Sequence, residues 1–323
     1  MWEVALQQKL WTPDQPKDFT ATFSDGEYSH KYYSGRRMWG VFRLLSPSAQ
    51  LPSEYGNLKT DKPYPFSVKV DKPVSPLGCM AVLRDWYNDS QYSTSVGVGA
   101  GAFGTPDRYS TSAADYSVTG NWERTIALYR TSDSVVVQSR SWLPDEVGGV
   151  IWFGPHSATA TAYVPIVMGM TRVPECLSSG WQGVFNLTQS FWVHRVVENL
   201  AQIKFSYMIQ DIRDLQSSLE SASQSLVDSV SALVSQSATT LRGGRTAVDY
   251  DTIFADNAQK ARDSFSQLAN DLLFKYADGY INRWVGNKFT STSAGYPVDW
   301  LDQDSVGYTT GPPPPPVDAK VQQ

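Results

Sequence analysis

Apolar positions along this chain change their spacing once, near Ser190, and that change divides the sequence into two textures. In the block Asn121–Gly169, three short runs are rich in β-branched and aromatic residues: Thr125–Arg130, Ser134–Ser139 and Val150–Phe153. Turn formers separate them: Thr131-Ser132-Asp133, then Leu143-Pro144-Asp145 with Gly148-Gly149, then Gly154-Pro155. This punctuation predicts adjacent antiparallel strands. Val135-Val136-Val137 and Val150-Ile151-Trp152-Phe153 are continuous apolar runs, the pattern of strands covered on both faces. From Ser190 onward the apolar residues recur every three or four positions, through Val193, Val197, Leu200, Ile203, Ile212, Leu215, Leu219, Val230 and Leu233. That spacing predicts amphipathic helix over Phe191–Ile212 and beyond, with a break near Leu219–Ser225. A second helical stripe covers Tyr250–Trp284, and Arg242-Gly243-Gly244-Arg245 forms the turn between the two. Helices packed on a buried sheet define a layered α/β protein.

The flanks are less regular. Trp2, Val4, Leu6 and Leu10 read as the end of an amphipathic element, which suggests a segment upstream of Met1. Asp25-Gly26 between Phe19–Phe23 and Tyr28–Tyr32 reads as a hairpin turn. Arg36-Arg37-Met38-Trp39 leads into Val41–Leu45, a short helix or strand ended by Pro47. Ser67–Val70 alternates as an edge strand does. Pro76–Tyr87 has helical spacing with Ser75 as N-cap. The glycine-rich run Gly97–Gly104 lacks the GK[ST] and the helix that a nucleotide loop needs, and fits close backbone approach better. Gly311 and five prolines open a polyproline tail.

Composition sharpens the class. The chain has 323 residues, 41% of them hydrophobic, enough for a large core. A net charge of −5 and an isoelectric point near 5.3 argue against a nucleic-acid partner. The longest uninterrupted apolar run is about five residues, against the roughly 20 of a membrane span. The opening residues lack the basic and apolar regions of a signal peptide. Two sequons, Asn88-Asp89-Ser90 and Asn186-Leu187-Thr188, make Asn88 and Asn186 glycosylation candidates and point to a lysosomal or secreted setting, with the cytoplasm as the alternative.

No catalytic set is complete. His30, His156 and His194 show no metal-ligand spacing, and no cofactor or metal motif occurs. Cys79 and Cys176 read as buried or free thiols, a disulfide between them being the alternative. Cys79 has no neighbouring histidine to activate it. Arg36-Arg37 reads as a surface or ion-paired feature, with a substrate carboxylate as the alternative. Arg140, between a buried-looking strand and Trp142-Leu143-Pro144, requires a partner, since an unpaired buried charge is costly. A structural ion pair and a group orienting a substrate or nucleophile both satisfy that requirement.

Four stretches carry a resemblance. They are Arg84-Asp85-Trp86-Tyr87 with Gly101–Arg108; Arg140–Pro144 with Gly148–Trp152; Phe191-Trp192 leading to Asn199–Ala201 and Met208–Ile212; and Leu273–Asn282. Over roughly residues 1–285 their order resembles the cysteine dipeptidases of the N-terminal-nucleophile hydrolase superfamily, the dipeptidase A type related to secernins. That pattern carries His after Arg-Asp, where this chain has Trp86. The resemblance implies an αββα sandwich with long C-terminal helices, formed by residues 1–285 (sheet-rich 1–189, helical 190–285), followed by an extension over 286–323. It also implies a nucleophilic cysteine at a processed N-terminus, its own α-amino group serving as base. Arg140 would then position the nucleophile or substrate, and Asn121 would be a candidate oxyanion donor. Because residue 1 is Met and neither cysteine is terminal, the chain reads as the larger, C-terminal part of a dipeptidase or related amidohydrolase. Its partners would be the upstream segment and a small peptide substrate, with homo-oligomerisation left open. The alternative is a non-catalytic relative retained as a structural or binding subunit.

Overall fold

The computed structural model describes residues 1–23, 34–53, 64–109, 124–239 and 248–302. The first half carries short helices: α1 (Trp2–Gln7), α2 (Phe19–Phe23), α3 (Arg36–Leu45) and α4 (Pro76–Leu83). Then come β1 (Ser134–Ser139), α5 (Asp145–Gly148), β2 (Gly149–Gly154), β3 (Val164–Val167) and α6 (Glu175–Ser178). The second half is helical: α7 (Ser190–Ala201), α8 (Phe205–Thr239) and α9 (Tyr250–Lys275). A hairpin of β4 (Tyr280–Val285) and β5 (Lys288–Ser293) and a last turn, α10 (Val298–Leu301), close the described chain.

β1, β2 and β3 form an antiparallel meander, with Val136 opposite Trp152 and Trp152 opposite Pro165. Side chains alternate across a pleated sheet, so this register sorts them by parity. Val136, Val150, Trp152 and Val167 face the helices and join a cluster with Met80 of α4, Val227 and Val230 of α8, and Phe254 of α9. A second cluster lies between α7, the first half of α8 and α9, built on Val193, Val197, Phe205, Ile212, Phe265 and Leu272. The 35 residues of α8 run through both. Helices therefore lie on the sheet as the change of spacing predicts.

Among the described residues, however, helices cover only one face. On the other, Val135 and Val137 are 42% and 69% exposed, and Ile151, Phe153 and Ile166 are half-buried. This corrects the expectation of strands buried on both faces: the valine run is continuous, but within the described residues helices cover only alternate positions.

Other boundaries differ for local reasons. Thr125–Arg130 is not a strand; Thr125 Oγ1 donates to Ala127 O at 3.0 Å, and Leu128 N and Thr131 N bond back to Ile126 and Leu128 in tight turns. Phe19–Phe23 is a helical turn rather than one arm of a hairpin. Arg36–Leu45 is helical. Ser67–Val70 is irregular. The break in the long helical stretch falls at Gln202–Lys204, not at Leu219–Ser225. Serine hydroxyls fold back onto the α8 backbone, Ser225 onto Ser221 O and Ser229 onto Ser225 O, so the polar stretch stays helical. α9 stops at Lys275, and Trp284 lies in β4. Hairpin β4–β5 crosses residues 285 and 286, where the sequence suggests an extension begins. The N-cap is as expected: Ser75 Oγ accepts from Gly78 N at 3.1 Å. The Asp25-Gly26 turn, the Arg242–Arg245 turn, His30 and the polyproline tail lie outside the described residues.

Candidate functional site

Two buried polar groupings meet where the β2–β3 connection passes between the sheet and α7–α8. The first is a clamp on that connection. Arg84, at the end of α4, donates from Nη1 to Glu220 Oε2 at 3.0 Å and from Nη2 to Glu220 Oε1 at 2.5 Å. The same guanidinium holds Ala158 O through Nε at 3.1 Å and Thr161 O through Nη2 at 3.0 Å. One turn earlier on α8, Gln216 Nε2 donates to Thr159 O and Thr161 O at 3.1 and 2.8 Å. Glu220 Oε1 also accepts from Tyr163 N at 2.9 Å. Helical spacing puts Gln216 and Glu220 on one face, so α8 presents a donor and an acceptor together to a strand-free stretch of backbone. Buried backbone groups outside ladders need such partners.

The second grouping is acidic and aromatic. His156 follows Gly154-Pro155, and its Nε2 lies 2.7 Å from Oε2 of Glu198 on α7, with both side chains about 4% exposed. Phe191 meets the His156 ring edge to face at 5.5 Å between centroids. The charge of Glu198 reaches Asp107, which lies in the Gly101–Arg108 loop. That loop is pinned to the end of α7–α8 by Ser206 N donating to Phe103 O at 2.9 Å and by Thr105 Oγ1 bonding Gln202. Arg108 folds back on the loop, donating to Thr105 O and Asp107 O at 2.8 and 2.9 Å and to Thr94 O. Gly104 sits at φ 65°, and a β-carbon there would stand 2.9 Å from Ser95 O, so close backbone approach is what this glycine run provides.

Burial sets the charges. Desolvation, reinforced by the charge of Glu198, pushes Asp107 up to about 8. Desolvation likewise raises Glu198 to about 8, against the Ser157 hydroxyl and Arg195, which favour its charged form. His156 falls to about 3 through desolvation and the Arg195 charge. The neutral carboxyl–imidazole pair is therefore the favoured state. His194, one helical turn before Glu198, is also buried, stacks on Phe265 at 4.2 Å, and is lowered to about 3 by desolvation. Its Nδ1 lies 2.7 Å from Ser190 O, so that nitrogen carries the proton. The arrangement can hold or pass a proton. Among the described residues no three His, Cys, Asp or Glu side chains assemble as a metal site.

Arg140 extends β1 on the helix-facing side, its N donating to Gly148 O and its Nη2 to Val147 O at 2.5 Å. Asp228 of α8 is the acid whose charge reaches it. Asn121 lies outside the described residues. Asn88 and Asn186 are half-buried, and Asn186 Oδ1 accepts from Thr188 N at 2.9 Å. Cys79 and Cys176 are both free, and burial pushes the Cys176 thiol up. Arg36 is buried, its guanidinium 3.2 Å from the centre of the Tyr92 ring and its Nη1 donating to Ser53 O. Trp86 is buried against Phe205 at 5.4 Å. Sequence reasoning missed Glu198 and Asp107. The signal for Glu198 was its place on the apolar stripe of α7, four residues after His194 and next to Val197. Asp107 gave none.

Comparison with known proteins finds relatives of this mixed helix-and-sheet chain. The profile of peptidase family C69 matches residues 2–218, about two thirds of the chain, and the chain belongs to that family. It is 23% identical over 224 residues to a probable dipeptidase of Latilactobacillus sakei, covering 68% of this chain and 42% of that protein. It is 24% identical over 189 residues to dipeptidase A of Lactobacillus helveticus, covering 57% and 34%. A probable dipeptidase A of Streptococcus pyogenes serotype M1 is 22% identical over 214 residues, covering 61% and 40%. The matched part thus spans two fifths or less of the relatives' length, to the nearest tenth. Among the described residues no helix is long and apolar enough to cross a membrane.

Proposed function

We propose that this chain is the C-terminal portion of a cysteine-type dipeptidase or related amidohydrolase whose nucleophile is carried by a preceding segment. The family match over residues 2–218 is the observation that carries the reading, and the relatives' description as dipeptidases narrows it to short peptides. A terminal cysteine uses its own α-amino group as base, so no histidine of this chain acts on the substrate. The open sheet face of Val135, Val137, Ile151, Phe153 and Ile166 receives a second sheet from the preceding segment, completing an αββα sandwich. The exposed Val135 and Val137 of β1, beside the half-buried Ile151, Phe153 and Ile166, support that packing, since soluble proteins seldom leave such a face bare. Arg140 holds the Leu143–Val147 turn and positions nucleophile or substrate through it, and Asn121 serves as an oxyanion donor. A lysosomal or secreted setting accompanies this reading, tested by mass spectrometry for hexosamine on Asn186 and Asn88.

The test is dipeptide hydrolysis by residues 1–323 alone and joined to the preceding segment, with and without thiol alkylation. Activity confined to the joined, unalkylated protein is expected. Full activity from residues 1–323 alone overturns the placement of the nucleophile, and a joined protein inert towards all dipeptides overturns the peptidase reading. Unchanged turnover in Arg140→Ala of the joined protein removes the role given to that residue. Trp86, buried where the family pattern carries His, favours the second reading of a non-catalytic subunit. An inert joined protein is its expected outcome.

A further inference from the structure

A cleft of about 930 Å³ opens between α3, α4 and α8, within the size range of small-molecule sites. Leu45, Pro73, Leu77 and Ala81 give it an apolar wall, while α8 contributes Arg213 and Ser217. Most charges lining it are already matched. Asp85 accepts two bonds from Arg43 at 2.7 and 2.9 Å, Glu220 is held by Arg84, and Asp71 accepts from Ser48 N at 2.9 Å with Lys72 nearby. Asp89 lies exposed at the rim.

Arg213 is different. Its guanidinium stacks over the buried Trp86 ring at 5.1 Å and meets no carboxylate among the described residues. Desolvation and the neighbouring Arg84 charge both oppose its protonation. A planar cation fixed on an aromatic face is preorganised for a carboxylate.

We propose that this cleft binds a small monocarboxylate with an apolar body, its carboxylate on Arg213 and its body against the α3–α4 wall. The lining carries no net charge, Arg43, Lys72, Arg84 and Arg213 standing against Asp71, Asp85, Asp89 and Glu220, so a single carboxylate can pair with Arg213 while a phosphate dianion is undercompensated there. The inference rests on the cleft alone and holds whether or not the chain is a peptidase.

The experiment is calorimetric titration of the full chain with 4-methylpentanoate, its uncharged amide and inorganic phosphate. The carboxylate is expected to bind at least about tenfold more tightly than the amide, the difference a charge-assisted hydrogen bond supplies. Arg213→Gln removes that difference while leaving the melting temperature unchanged. Ser217→Glu sets a carboxylate one turn from Arg213 and abolishes binding by occupying it from within. Equal affinity for acid and amide, tighter binding of phosphate, no binding of the acid, or wild-type affinity in either variant overturns the proposal.

Discussion

His156 Nε2 and Glu198 Oε2 lie 2.7 Å apart in the protein interior, joining the loop after β2 to the last turn of α7. With Asp107 close by and His194 one turn away, four titratable groups share one dry region whose neutral forms are favoured. Folding therefore changes proton binding with a sign that depends on pH.

Two carboxyls raised to about 8 make the folded state bind more protons than the unfolded one between roughly pH 4 and 8, so their contribution is lost as pH rises through 8. Two imidazoles lowered to about 3 act oppositely, and their contribution is lost as pH falls from 6.5 towards 3. Stability should fall from pH 6.5 to 8, where only the carboxyls act, and stay nearly level from 6.5 to about 4.5, where the two effects offset. Below that it should fall again. Urea midpoints across this range check the profile, and Asp107→Asn should flatten the alkaline limb. A midpoint rising from pH 6.5 to 8 contradicts the assignment.

Trp152 is fully buried at the centre of the sheet, between Val136 and Pro165. Trp152→Ala should cost about 3–5 kcal/mol through lost transfer energy and the cavity left behind. Equilibrium denaturation followed by circular dichroism measures it. A cost under about 1 kcal/mol would mean the sheet face is not packed as described.

Glu220→Leu leaves the Arg84 guanidinium without its carboxylate and the Tyr163 amide without its acceptor. The expected loss is about 3–5 kcal/mol. Adding Arg84→Met should return part of it, since the stranded charge is removed, but not all, because Ala158 O and Thr161 O each lose one donor and keep only Gln216. A double-mutant cycle reads this non-additivity, and simple addition of the two losses excludes the clamp.

Val137→Lys, on the open sheet face, should change the stability of the chain alone by less than about 0.5 kcal/mol. It should reduce binding of a hydrophobic dye and, on the proposed reading, weaken association with the preceding segment. Unimpaired association, measured by sedimentation, removes that face from the interface.

Parts of this structure could be read from local chemistry. The strands β1 and β2 were legible because valine and aromatic runs end at paired turn formers, and Ser75 announced α4 by its place before Pro76. β3 was hidden by Pro165, which reads against a strand yet sits in an edge strand. Thr125–Arg130 has strand composition but forms turns, because its hydroxyl and amides close local bonds. The serines of α8 suggested a break and instead bond their own helix. The site was less legible still: Asp107 comes under the charge of Glu198 because the Gly101–Arg108 loop is tied to the α7–α8 junction, and no spacing in a sequence records such a tertiary approach.

At about 1.5 Å per residue, α8 is roughly 52 Å long, and its two halves belong to different hydrophobic clusters. Neither cluster can come apart without freeing one half of the same helix, and a half-helix stripped of its packing has little stability of its own. The sheet and the helical layer should consequently melt as a single cooperative unit. Amides at Ile212 and at Val230 should exchange with solvent at one common opening free energy, that of global unfolding.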